Sequence, residues 1–144
     1  MPAATGKAYA TIGTMLEYSD DGTTWQQLCK IKTFPELGGT PEQIETTDLE
    51  DEVQTNVLGV QQLDEMEFEA NYSPTSYKTV SDNAMKDLHY RVRLGKNGAL
   101  GAVTWEGQHS VRIAEGEVNG AIGMIIACSA STKITVNTEP VAGE

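Results

Sequence analysis

The chain has 144 residues, 39% of them hydrophobic, and a formal charge of −11. That size and apolar share fit a single domain with a proper core and exclude a disordered tail. No apolar run approaches the roughly 18 residues of a membrane helix, the first residues lack the apolar centre of a secretory signal, and Cys29 and Cys128 alone exclude a disulfide framework.

The charge is uneven. Between Lys32 and Lys78 there is no Lys, Arg or His, and the same stretch carries 11 acids, equal to the whole net charge. Such a block argues against a phosphate-gripping face, which needs clustered Lys and Arg.

Residues 1–10 read as a flexible N-terminal arm. From Thr11 to Tyr18 the pattern alternates, with Ile12, Thr14, Leu16 and Tyr18 on one face and Met15 and Glu17 on the other. Ser19-Asp20-Asp21-Gly22 is a turn, and Thr23 to Lys32 the returning strand of a hairpin. From Thr33 to about Gly59 the period is lost. Pro35, Gly38, Gly39 and Pro41 break any strand, which predicts a long loop over 33–60. Ile44, Leu49, Val53, Val57, Leu58 and Val60 make that loop too apolar for disorder, so it needs a surface to pack on, a neighbouring subunit being one candidate.

Leu63 to Tyr72 is the clearest strand, with Met66, Phe68, Ala70 and Tyr72 opposite Glu65, Glu67 and Glu69. Ser73-Pro74 opens a short helix expected to end near Lys86. In the next strand Leu88, Tyr90, Val92 and Leu94 face in, and His89, Arg91 and Arg93 face out. Glu65, Glu67 and Glu69 can pair across the sheet with Arg91 and Arg93, which leaves room for an exposed acidic rim elsewhere in the block. Gly95 to Gly101 is a glycine-rich turn. Strands are expected at 102–106, 111–118 and 121–136, and 137–144 as a loose tail. The total is about seven strands and one helix within 11–136. That is a mostly β protein, an antiparallel β-sandwich or partly open barrel with one short α-helix.

Catalytic readings find no support. His89 and His109 lack partners at metal-ligand spacing, and 95–101 lacks the Gly-Lys-Ser/Thr of a phosphate loop. Asp48-Leu49-Glu50-Asp51-Glu52 lacks the alternation and central Gly of a calcium loop. Glu65 and Glu67 share one strand face with no nearby Trp to stack a sugar. No enzymatic activity and no cofactor are expected. A carbohydrate- or surface-binding β-sandwich stays open, with Trp25 and Trp105 as its available aromatics.

The run from Ile31 to Asp51 contains Pro35-Glu36-Leu37-Gly38-Gly39 and, downstream, Leu49-Glu50-Asp51. It resembles a signature of siphophage tail tube proteins, and the match extends in pattern over roughly residues 10 to 136. The resemblance implies a non-enzymatic virion protein, assembled in the host cytoplasm. It would form hexameric rings stacked into a tube around a tape measure protein, capped by tail initiation and terminator proteins. Double-stranded DNA would pass through without specific binding, and nothing would insert into a membrane. A related secretion-system tube is the alternative. The resemblance places subunit contacts in 33–60, at Phe34, Pro35, Leu37, Gly38, Gly39, Ile44, Leu49, Val53, Val57 and Leu58. Glu45, Asp48, Glu50, Asp51, Glu52, Glu65, Glu67 and Glu69 are candidates for an acidic lumen or rim.

Overall fold

The computed structural model describes residues 9–38, 41–61 and 65–141. Most of the expected N-terminal arm, the last three residues of the expected tail, and Gly39, Leu63 and Asp64 lie outside the described residues. The rest contains ten strands, one α-helix and a 3-10 turn at Lys96–Gly98. The fold is mostly β and antiparallel, with sheets that do not close into a barrel.

The strands in chain order are β1 (Met15–Ser19), β2 (Gln26–Cys29), β3 (Ile31–Thr33), β4 (Pro41–Glu45), β5 (Asn56–Gln61) and β6 (Met66–Asn71), then β7 (Leu88–Arg93), β8 (Ala102–Ile113), β9 (Gly123–Ala130) and β10 (Thr135–Asn137). Eight form one sheet in the order β2-β1-β7-β8-β9-β6-β3, with β10 also on β8; among the described residues β4 and β5 pair only with each other.

Strand β8 organises the sheet. Its residues Ala102 to Gly107 pair with β7 on one edge, and Gly107 to Ile113 pair with β9 on the other. Val103 faces both Val92 of β7 and Val136 of β10, so β10 continues the edge that β9 occupies. Gly107 is the crossing point, paired with both Leu88 and Ala130. A Cβ there would lie 2.0 Å from the Ser129 carbonyl oxygen, so only glycine fits. The expected break between 102–106 and 111–118 is therefore a correction: this is one 12-residue strand.

The sheet coils over its own core. Trp105 of β8 lies between Phe68 of β6 and Tyr90 of β7, with ring centroids 6.2 and 5.7 Å away and nearly parallel planes. Leu16, Val92, Met124, Ile126 and Cys128 complete this layer. Alternation explains β6 directly, because Met66, Phe68 and Ala70 are buried while Glu67 and Glu69 are exposed. The helix α1 (Pro74–Asp82) begins as expected: the Ser73 hydroxyl accepts a hydrogen bond from the Ser76 amide and Pro74 takes the first turn. It ends at Asp82 rather than near Lys86, because Asn83 caps it and Met85 adopts a left-handed φ of 66°.

Three further expectations are corrected. The span 23–32 is two strands, β2 and β3, at opposite ends of the sheet, the chain changing place at Lys30. The span 121–136 is β9 and β10 with a break between them. The span 33–60 contains a hairpin, with Ile44 opposite Val57 and Glu45 opposite Asn56. Pro41 opens β4 opposite Gln61, a strand-initial place that proline tolerates.

Candidate assembly surface

The β4–β5 hairpin is an arm whose tip is tied down by its own side chains. The Thr46 amide donates to the Thr55 carbonyl at 2.9 Å, and the Thr55 amide donates to Thr47 Oγ1 at 2.7 Å. At the turn, Asp48 Oδ1 accepts from the Glu50 amide and Asp51 Oδ2 from the Asp48 amide, each at 2.9 Å. These short bonds are what Asp residues do in turns, and they preform the tip. Gly59 lets Ile44 lie across β5, since a Cβ there would meet Ile44 Cδ1 at 2.8 Å.

The arm keeps its apolar side chains in solvent. Leu49 is fully exposed (106%), Val53, Leu58 and Val60 are each about 70% exposed, and Ile44 and Val57 about half. An isolated two-stranded hairpin is marginal in water and such a patch marks a contact surface. Glu45, Asp48, Glu50, Asp51 and Glu52 are exposed on the same arm. Other residues of 33–60 lie elsewhere: Phe34 and Leu37 are half-buried against the domain core, Pro35 is half-buried, and Gly38 has a φ of 106° with open space around it. The arm root is seated where the Ile134 amide donates to Gln61 Oε1 at 3.2 Å.

The acidic face of β6 is separate from the arm. Glu65, Glu67 and Glu69 are exposed, and Glu67 pairs with Arg112 of β8. The hydrogen bond to Glu67 holds the exposed Arg112 guanidinium above its ordinary pKa. Pairing of these glutamates with Arg91 and Arg93 is corrected, because both arginines are 7% exposed and turned to Glu17.

Glu17, itself 5% exposed, lies on the face of β1 away from the aromatic core. Its Oε1 accepts from Arg91 Nε at 2.8 Å. Arg91 Nη2 at 2.7 Å and Arg93 Nε at 2.9 Å crowd the same oxygen; neither makes a directed hydrogen bond among the described residues. Trp25 covers the cluster, its ring centroid 4.4 Å from the Arg91 guanidinium carbon. One carboxylate between two buried guanidiniums leaves a surplus positive charge. Beside it, a groove of about 460 Å³ runs over Trp25, His89, Thr104, Glu106, Lys133 and Thr135. His89 Nδ1 lies 3.5 Å from Glu106 Oε1 in its floor. No sequence pattern announced this cluster, since Arg91 and Arg93 occupy the alternate positions that usually face solvent.

The two tryptophans do not form an exposed aromatic platform. Trp105 is 3% exposed, and Trp25 gives one face to Arg91. Among the described residues no three His, Cys, Asp or Glu converge to hold a metal, and no helix is long and apolar enough to cross a membrane.

No protein-family model matches the chain, and no curated protein is similar to it in sequence. Solved structures are similar in fold. A chain of the sixfold-symmetrised baseplate of the anti-feeding prophage superposes with a TM-score of 0.68 at 8% identity, over 95% of this chain and 100% of that one. The tube terminating cap of the same prophage gives 0.66 at 14% identity, over 96% of each chain. The SPP1 tail tube gives 0.52 at 15% identity, over 90% of this chain and 78% of that one. The chain thus has the fold shared by these tail tube and injection-system proteins.

Proposed function

We propose that this chain is the tube-forming structural protein of a phage tail, assembling through its arm into hexameric rings that stack into a conduit for DNA. The observation that carries the proposal is the preformed β4–β5 arm, which presents six apolar side chains to solvent and, among the described residues, pairs with no strand of the eight-stranded sheet. A neighbouring subunit is the surface those side chains lack. Sixfold symmetry is the symmetry of the baseplate from which one similar chain comes. A ring of six would carry 6 × −11 = −66 formal charges. Association against that repulsion calls for extensive, largely apolar interfaces, on the order of 2,000 Å² or more. The acids of the arm and of β6 suit a lining that lets DNA pass without gripping it. Partners in this reading are further copies of the chain, a tape measure protein, and tail initiation and terminator proteins, in a virion assembled in the host cytoplasm.

A second reading, the tube of a contractile injection or secretion device, is favoured by the higher structural similarity to the anti-feeding prophage chains than to the SPP1 tail tube. Electron microscopy of the purified protein, alone and with its initiation complex, tests tube formation: hollow tubes of uniform width are expected, and a strict monomer at high concentration with the initiator present would overturn the proposal. Neighbouring genes separate the two readings, tape measure and terminase marking the phage, sheath and ATPase the injection device.

A further inference from the structure

We infer that the groove beside Trp25 and Lys133 receives the acidic arm tip, Asp48 to Glu52, of a second copy of this chain. The inference rests on the tube-forming reading above and adds the surface on which the arm lands.

Charge is the first reason. The groove and the cluster beside it hold Arg91, Arg93 and Lys133 against Glu17 and Glu106, a formal local balance of +1, in a chain whose total is −11. The arginines are buried and two of their nitrogens lack directed partners. Charge held in low dielectric beside a cleft projects its potential outward into that cleft. The arm tip carries Asp48, Glu50, Asp51 and Glu52 with no base on the arm to offset them. Opposite potentials of this kind set register and partner choice across an interface.

Chemistry of shape is the second. The tip exposes Leu49 completely, and the indole of Trp25, which also stacks with Arg91, lines the groove. A leucine against an indole with carboxylates near an ammonium matches apolar to apolar and anion to cation in one contact. Tip and groove are different surfaces, so the contact is heterologous and propagates from copy to copy, closing into a ring where the rotation permits. Reach is sufficient. The arm strands, of five and six residues, extend roughly 17 and 20 Å at about 3.3 Å per residue, from a root beside Thr132 and Lys133, the rim of its own groove. An arm leaving from that rim is placed to enter the groove of an adjacent copy.

The test uses the full chain under tube-forming conditions, with Leu49→Cys and Thr135→Cys combined and a short bismaleimide linker. The native thiols are buried. A ladder of covalent multimers is expected from the double variant in tubes, and none from either single variant. Tubes that form without a ladder, or linkage that closes only within one chain, would overturn the inference and leave the tube-forming reading standing. Absence of tubes from the unmodified chain would overturn both. A charge swap reads the same contact without cysteines. Lys133→Glu and Asp51→Lys should each raise the concentration needed for assembly about tenfold, and their combination should restore it to within about threefold. Additive losses in the combined variant would count against the contact.

Discussion

The Tyr90 hydroxyl lies 2.6 Å from Nδ1 of His109, a buried pair that ties β7 to β8 and, through His109, to the helix. His109 Nε2 is 2.8 Å from the Val80 carbonyl oxygen. A carbonyl only accepts, so Nε2 carries the proton and Nδ1 accepts from Tyr90, which assigns the neutral tautomer. The main chain reinforces the link, the Met85 amide donating to the His109 carbonyl at 2.9 Å. Burial holds the imidazole below its ordinary pKa of 6.5, the Val80 hydrogen bond opposing that shift more weakly. With a depressed folded value, the unfolded chain takes up the proton first. This contribution is therefore complete above the unfolded pKa and is lost as pH falls below about 6.5, by at most about 1.4 kcal/mol per pH unit. Urea unfolding at pH 7.5 and 5.5 should show the loss. His109→Gln should be less stable at pH 7.5 and show a smaller drop between the two.

Glu17 makes a sharper demand. Its removal leaves Arg91 and Arg93 buried without a counter-charge, and breaking such a pair costs about 3–5 kcal/mol. The Glu67–Arg112 pair is about half exposed on both sides, so water screens it and it contributes little. Glu17→Ala should thus lower the denaturant midpoint far more than Glu67→Ala. Equal effects would mean that the buried cluster contributes no more than a surface pair.

The contrast between these two glutamates also shows what was legible in the sequence. The face of β6 was, because Met66, Phe68 and Ala70 alternate with acids and one side of the strand meets water. Arg91 and Arg93 also alternate with apolar residues, yet both faces of β7 are covered, by the aromatic core on one side and by Glu17 and Trp25 on the other. Alternation distinguishes two faces and does not say what covers each. The arm was located by its apolar residues and acids, but its strands were missed. A hairpin exposed on both faces has no reason to alternate, and a register shift between Pro41 and Gln43 blurs what remains. The groove beside Trp25 draws on the β1–β2 turn, β7, β8 and β10, segments that only tertiary folding brings together.

Gly107 offers a test of how β8 serves two ladders. An added methyl meets the Ser129 carbonyl, a backbone atom that cannot swing away. Overpacking of this kind typically costs about 1–3 kcal/mol. Gly107→Ala should lower the melting temperature by several degrees. Gly116→Ala, where an added Cβ meets nothing within 4 Å, should leave it nearly unchanged.

The thiols of Cys29 and Cys128 are both pushed up to about 12 by burial, with neighbouring negative charge adding to the shift at Cys128. At neutral pH they are protonated and poor nucleophiles. A thiol reagent such as Ellman's should label the folded protein slowly and both cysteines promptly in denaturant. Fast labelling of the native chain would mean that β2 or β9 opens readily.

Leu37 and Leu49 fall within the same acidic span and should behave oppositely. Leu37 packs on the domain core, so Leu37→Asp places a charge against apolar neighbours and should cost about 2–4 kcal/mol before assembly is considered. Leu49 touches solvent over its whole surface. Leu49→Asp should change stability by less than about 0.5 kcal/mol and still abolish tubes, because the tip then brings a further carboxylate where an apolar anchor is needed. Thermal melts paired with electron microscopy read both quantities on the same samples. A Leu49→Asp protein that melts normally and builds normal tubes would remove the arm tip from the interface, while loss of tubes without loss of melting temperature identifies an exposed residue whose role begins only when a second copy arrives.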